Sequence, residues 1–483
     1  MAPIAPIIRN SLKSGLMTVS AVSPNEYPED GVLESINFQF DTIGQATLRR
    51  GSTLVGSAIG GSILGLCNFI DSNGVNNKLI TVSGTTVYYL SGTNWIAKRT
   101  GLTAASKARF STFLNYVFMV NGTEATAIWD GDTSTNFLTT GNAASAPTGK
   151  FIENFRSRMW IAGNTTYPDR VYYSSIPSAV TTPVITWDTS VTGGQWIDVS
   201  PSDGDNITSL HKTKNALLVF KREHLYRIYS IAQADPDPKI DVGTYSHESV
   251  VETKNGVYFH HPSGFYRYNG DSVQEVSQPI KDIVQAITLT NYYKVSGSLD
   301  TQGDHIEWSV GDVTVNGVSY TNLKVRYTIS TQVWTHYSYP TQHLVGCFYN
   351  DGSTISAVVG DNAGNVLTLD SGKTDNGTPI SYSLIHRFDD IDGFNSTRKT
   401  LNTLFFDHQG MTGANVNYQI PIDVTNDWTK KIGQLKSFST GFSSLSIKGQ
   451  NFSFRISGTS TGEPIFYRGY EVLVGDAELI TFT

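Results

Sequence analysis

The residues best suited to chemistry lie in one short run, GVYFHHPSGFYRYNGDSVQEVS, residues 256–277. There His260 and His261 precede a Pro262-Ser263-Gly264 turn, and Asp271 follows. Imidazoles and a carboxylate are donor types of a protein metal centre. Their spacing argues against that use, because neighbouring residues of a strand point to opposite faces and the two rings cannot close on one ion. No His-x-His pair and no Cys pair accompanies them, and the other histidines are dispersed singly. With Pro262 and Gly264 supplying turn geometry, the run predicts two short strands joined by a tight turn, and no metal-ligating residue is assigned.

Three aspartate-rich runs could offer oxygen ligands to calcium: DPDPKID (235–241), DGDNIT (203–208) and FDDIDGFN (388–395). Only the last follows part of a calcium-loop pattern, through Asp390, Asp392 and Gly393, and the closing glutamate is missing. Asp-rich turns are the simpler reading, with a structural ion at Asp389, Asp390 and Asp392 as the alternative. Glycoside hydrolysis needs paired carboxylates and, in sialidases, an arginine cluster facing one pocket. Glu153, Arg156, Arg158 and Asp169 could supply it. No S-x-D-x-G-x-x-W repeat occurs, however, and STQVWTHYS (330–338) lacks its Asp and Gly. These charges read more simply as solvated strand edges that discourage sheet-to-sheet aggregation. G-x-S-x-G, H-E-x-x-H and the P-loop are absent, although Ser/His/Asp sites can assemble from scattered residues. No catalytic or cofactor-binding residue is assigned, no cofactor is expected, and the chain is read as a non-enzyme. Tryptophans such as Trp95, Trp129, Trp160, Trp308 and Trp334 could be sugar platforms, but they fall in or beside expected strands and read as core.

The elements that carry these residues are strands. The 483 residues are 39% hydrophobic and only 16% charged, with Gly, Ser, Thr and Asn abundant, a composition of many short strands joined by polar turns. The chain is long enough for two or three domains. Lys and Arg total 35 against 42 Asp and Glu, for a formal charge of -7, and no basic run appears. A tight duplex-DNA binder would carry a basic stripe, so any nucleic-acid contact should be loose. Cys67 and Cys347 are too few for a disulfide framework and read as buried small hydrophobes made in a reducing cytoplasm. The start, MAPIAPIIRNSLKSG, lacks the features of a secretory signal and reads as an extended arm. STLVGSAIGGSILGLCNFI (52–70) is diluted by Gly60-Gly61 and serines and reads as turn plus strand, so no membrane-spanning segment is expected.

A repeat organises the strands. Tyr88, Trp129, Tyr172, Tyr226, Tyr266, Tyr327 and Leu367 each mark an aromatic or β-branched strand ending in a Gly, Asn or Asp turn. Their intervals are mostly about 40 residues, as in a four-stranded propeller blade. A second apolar strand precedes most of them, as in NALLVFKREHLYRIYS (215–230), where two strands flank a charged tip. Such strands cannot bury both faces alone, so radial stacking is the economical solution. After about residue 378 the strands lengthen (402–408, 415–424, 451–458 and 464–474), suggesting an antiparallel β-sandwich. The expectation is an all-β chain: an extended N-terminal arm over 1–50, a six- or seven-bladed β-propeller over 51–378, and a β-sandwich over 379–483. The arm could close the propeller or cross to the sandwich, and its proline-rich start favours the second.

Taken in order, NFQFDTIGQATLRRG (37–51), the propeller hairpins, NALLVFKREHLYRIYS, GTYSHESVVETKNGVYFHHPSGFYRYNG (243–270) and RKTLNTLFF (398–406) resemble the tail nozzle, or packaged-DNA stabilisation, proteins of short-tailed bacteriophages. The family's "G..S..S" followed by "G.Y....GFY.Y.G" is matched here by Gly243, Ser246, Ser249, Gly256, Tyr258, Gly264, Tyr266 and Gly270. The resemblance covers the chain from about Asn37 onward. It implies a virion structural protein, assembled in the host cytoplasm, that forms a homo-oligomeric ring, a hexamer, below the portal and its adaptor ring. It also implies tail fibre, spike or plug partners and transient, non-sequence-specific contact with genomic DNA in the channel, with no catalytic residues to carry over. The opposing reading is a propeller that binds or cleaves carbohydrate, including one carried on a tail.

Overall fold

The computed structural model describes residues 7–9, 12–19, 28–42, 44–178, 183–190, 193–232, 240–389, 397–420, 428, 430–436, 438–460, 462, 464–474 and 478–479. Among the described residues the regular structure is nearly all β. Six sheets of three or four antiparallel strands stand radially as separate blades, spanning 63–99, 109–129, 151–198, 207–228, 251–275 and 343–368, here blades 1 to 6. Between blades 5 and 6 the ring is completed by a wedge of four strands, Ser296–Leu299, His305–Val315, Val318–Thr328 and Val333–Ser338. The wedge is the near part of a ten-stranded sheet that continues out of the propeller.

Each marker residue falls on the third strand of its sheet, paired with the apolar second strand, as in Leu217–Lys221 with Leu225–Ile228 and Gly256–His261 with Gly264–Tyr268. These middle strands are apolar because both of their faces are covered. Blade 1 packs on blade 2 through Val82, Val117 and Trp129, and blade 4 on blade 5 through Phe220 and Phe259. Phe265, Trp308 and Trp334 fill the seam between blade 5 and the wedge. Ile63, Val345 and Val358 fill the seam where blade 6 returns to blade 1. Burial of this kind stabilises by about 25 cal/mol per Å² of apolar surface, which no isolated blade can collect.

The N-terminal segment crosses to the sandwich, the alternative its proline-rich start favoured. Thr53–Leu54, within the expected propeller range, supplies the outermost strand of blade 6. Gly31–Ile36 pairs with Ser381–His386, and Phe38–Thr42 and Gln45–Leu48 form a hairpin that joins Phe466–Val474. Prolines restrict only the first few residues. Further on, Val32, Phe38, Phe40 and Ala46 alternate with less buried neighbours and supply sandwich core with Leu404, Phe406, Phe454 and Tyr467. The sandwich thus has an eight-stranded sheet facing the outer part of the ten-stranded one, whose strands include Ser381–His386, Ser453–Thr459, Asn415–Gln419 and Lys431–Gln434.

Two short helices, Lys281–Ala286 and Leu289–Tyr292, follow blade 5 and were not expected. Ile280, Ile283, Val284 and Ile287 repeat at helical spacing and bury one face against the wedge. The apolar run at 52–70 becomes Thr53–Leu54, a turn and the strand Ile63–Ile70. Among the described residues no helix is long and apolar enough to cross a membrane.

Candidate functional site at the propeller axis

The first strands of the blades converge on the axis, and glycines permit their approach. A Cβ added to Gly65 would lie 2.5 Å from the Ala108 carbonyl oxygen, and one on Gly297 would overlap Val251. What remains is a cavity of about 190 Å³, lined among others by Arg109, Glu153, His247, Glu248 and Gly346. Into it projects the 3-10 turn His247–Ser249, which stands ahead of the first strand of blade 5.

Residues around this turn anchor it on three sides. Ser246 Oγ donates to the Val295 carbonyl at 2.7 Å, Ser249 Oγ donates to the Ser246 carbonyl at 2.8 Å, and Trp308 Nε1 donates to the Ser249 carbonyl at 2.9 Å. Glu248, held by this frame, accepts from Lys107 Nζ at 2.8 Å and from Arg109 Nη2 at 2.7 Å and Nε at 3.0 Å. Burial alone would raise its pKa, but Arg109 and Lys107 outweigh burial and hold the carboxyl well below the usual carboxylate range. His247 is also shifted down, to about 3, by burial and the Arg109 charge. Its Nδ1 lies 2.8 Å from Ser209 Oγ, and its ring packs on Phe151.

A serine and a histidine in hydrogen-bond contact invite a nucleophile reading. Ser209 is fully enclosed, and no carboxylate is paired with the His247 ring among the described residues. Glu153 lies beside this cluster with its pKa raised by burial, its nearest cation being Lys212 at 3.9 Å. Charge here is fixed in place by ion pairs, tying blade 2 to the entry of blade 5 across the axis.

The residues singled out from sequence are dispersed. Arg156 lies over the Phe155 ring and Arg158 over Tyr173, while Asp169 joins Asp203 in holding the buried Lys221 Nζ, at 2.9 and 2.7 Å. The four candidates for a sialidase-like site therefore do not meet in one pocket. Asp205 of the DGDNIT run accepts from Arg222 Nε at 2.9 Å and from the Glu223 amide at 2.9 Å. Of the third aspartate run, Asp390 and Asp392 lie outside the described residues. Asp389 is engaged by Arg9 Nε at 2.8 Å and the Tyr470 hydroxyl at 2.9 Å. Most of DPDPKID also lies outside them. His260 is buried and His261 faces outward to Ser263 and to Glu223 at 3.1 Å, so the two rings occupy opposite faces as alternation requires. Trp129, Trp160, Trp308 and Trp334 are buried.

Sequence reasoning passed over Lys107, Arg109, His247 and Glu248. The signal that could have found the acid is its place between Ser246 and Ser249, in a polar run between two apolar strands.

No protein-family profile matches the chain, and no curated protein does. Among solved structures, similar chains include the computationally designed protein Ika8 (11% identity, TM-score 0.39), which aligns over 66% of this chain and 99% of its own. YCF48 from Cyanidioschyzon merolae aligns at 9% identity and TM-score 0.39, over 66% and 98%. The extracellular domain of a hybrid two-component system protein from B. thetaiotaomicron aligns at 14% identity and TM-score 0.43 over 75% of this chain, which spans less than half of that one at 45%. At these values the propeller rests on its own sheet topology.

Proposed function

We propose that this chain is a virion structural protein: the nozzle of a short phage tail, forming a ring below the portal and adaptor that retains packaged DNA and conducts it during ejection. The observation that supports the reading is that the residues carrying the family resemblance all serve architecture. Ser246 and Ser249 anchor the axial turn. Gly243 and Gly256 lie where a Cβ would strike backbone carbonyls, of Lys221 and Tyr268 respectively. Tyr258 is buried against Tyr327 of the wedge, and Tyr266 stacks on Phe259. A motif spent on rigidity suits a part whose work is mechanical and done at interfaces.

In this reading DNA passes between copies of the chain, since the propeller's own axis leaves only a cavity of about 190 Å³ beside the Lys107–Glu248–Arg109 ion pairs. Copies related by closed rotational symmetry, six in the family resembled, leave such a passage. One surface meets the adaptor and another the fibre, spike or plug. The net charge of -7 is compatible with loose, sliding contact to DNA. Electron microscopy and light scattering of the purified chain with its adaptor should show a closed ring. A monomer that cleaves polysaccharide would overturn the proposal in favour of a carbohydrate-active propeller.

A further inference from the structure

Blades 3 and 4 meet along their first strands, Phe151–Phe155 and Ile207–Lys212, and at the end of that seam a lysine, an asparagine and an acid stand together. Lys212 Nζ donates to Asn154 Oδ1 at 2.5 Å, so the amide carbon Cγ, one C=O bond further on, lies within about 3.7 Å of the amine nitrogen. The amide is fixed from its other end, where Asn154 Nδ2 donates to the Thr112 carbonyl of blade 2 at 2.5 Å. Glu153, the neighbouring residue, brings a carboxylate oxygen to 3.9 Å from the same Nζ. Its side chain is largely enclosed, whereas that of Lys212 is 44% exposed and opens the cluster to solvent. An amine nucleophile, a carboxamide held against it and a carboxyl able to carry protons between them are the groups that formation of an isopeptide bond requires.

We propose that Lys212 and Asn154 join in an isopeptide bond that ties blade 3 to blade 4, with Glu153 carrying the protons. The Glu153 carboxylate takes one proton from the Lys212 ammonium, which frees the nitrogen lone pair. The amine attacks Cγ of Asn154, a C–N bond forms, and the carbonyl electron pair moves onto Oδ1. Glu153 then delivers its proton to Nδ2 and removes another from Nζ; the carbonyl re-forms as the Cγ–Nδ2 bond breaks, and ammonia leaves by the solvent-facing side. The ammonia picks up the remaining proton as ammonium, and Glu153 ends as the carboxylate it began. Nothing is oxidised or reduced, and no outside reagent is consumed. Burial raises the Glu153 carboxyl, which helps it accept the proton that opens the sequence. The finished bond closes a loop through blade 3 and so restrains the unfolded chain as a cross-link does.

The test uses the full chain, purified and then denatured for intact-mass and peptide-mass measurement. The unaltered protein should weigh one ammonia less than its sequence requires, and proteolysis should yield a branched peptide joining the segments around Asn154 and Lys212. Lys212→Arg should carry the full mass and melt below the unaltered chain. Glu153→Gln, shown by circular dichroism to be folded, should also carry the full mass, and Glu153→Asp should recover part of the link. A full mass for the unaltered chain would overturn the proposal. So would an ammonia loss that maps, without a branched peptide, to a cyclic imide at an Asn-Gly pair such as Asn269-Gly270. A link that forms equally well in Glu153→Gln would overturn the part given to Glu153. The mass of the unaltered protein decides the matter even if a variant fails to fold.

Discussion

His260 is fully enclosed, its two ring nitrogens have no protein partner, and burial reinforced by the His261 charge brings its pKa to about 3. The unfolded chain titrates near 6.5, so between those values the unfolded state binds the extra proton. Stability tied to His260 is therefore complete above pH 6.5 and lost as pH falls toward 3. At pH 5 the loss is about 2 kcal/mol for one such ring. His247, His336 and His386 are held near 3 by the same cause and add to the slope. His260→Leu should shift the urea midpoint little at pH 7.5 and make its decline between pH 6.5 and 4.5 shallower than in the unaltered chain; an unchanged slope would show the ring to be solvated. His305 is the opposite case: hydrogen bonds to Asp300 and Asp41 outweigh burial and raise it to about 9, so its contribution is complete below pH 6.5 and lost as pH rises through 9. If His260 and His261 serve the hairpin rather than an ion, replacing both by Gln leaves the chain folded by circular dichroism, and a chelator does not change the unfolding of the unaltered chain.

At the scale of the element, the blade 5 hairpins depend on where glycine is compulsory. Gly256 has φ +132° and Gly270 φ +109°, both outside the comfortable range of other residues. They differ in surroundings. A Cβ on Gly256 strikes the Tyr268 carbonyl of the paired strand, while a Cβ on Gly270 meets nothing within 4 Å. Gly256→Ala should cost about 2–4 kcal/mol, from backbone strain and overlap together, and Gly270→Ala about 1–2 kcal/mol from strain alone. Denaturant unfolding of the two variants measures the difference, and equal costs would refute the assigned overlap. Element by element, the second and third strands were legible in the sequence because neighbouring sheets cover both their faces, which leaves uninterrupted apolar runs such as 217–220 and 257–259. The inner strands were not. Apart from Ile63–Ile70, which an apolar run betrayed, the strands carrying Arg109, Glu153 and Gly297 face a crowded polar axis and show neither an apolar run nor clean alternation.

For the molecule as a whole, the decisive join lies between propeller and sandwich. Arg49 is almost fully buried where the chain passes from one to the other. Its donors go to Asp375 at 2.6 and 2.8 Å, to Asn37 Oδ1 at 2.8 Å and to the Ser338 carbonyl at 2.9 Å, and its guanidinium lies over Tyr339. Removing one partner of such a pair strands the other charge in a dry site, so Asp375→Leu should cost about 3–5 kcal/mol. Arg49→Met combined with Asp375→Leu should recover much of that loss, and equilibrium unfolding of the single and double variants checks both. The wedge has the same integrating effect through backbone: its last strand meets Gly31–Ile36 at His336 and Ile36, carrying one sheet from the propeller into the sandwich. By itself the sequence determined the strand class, the repeat of hairpins, the sandwich strands and the opposite faces of His260 and His261, because turn residues and two-residue alternation act over a few neighbours. Only the tertiary structure decided that Thr53–Leu54 closes blade 6, that Gly31–Ile36 joins the sandwich beside Ser381–His386, and that Lys107 and Arg109 meet Glu248. Those pairings join residues more than a hundred positions apart, and what selects them is the closure of a ring, which no local pattern records.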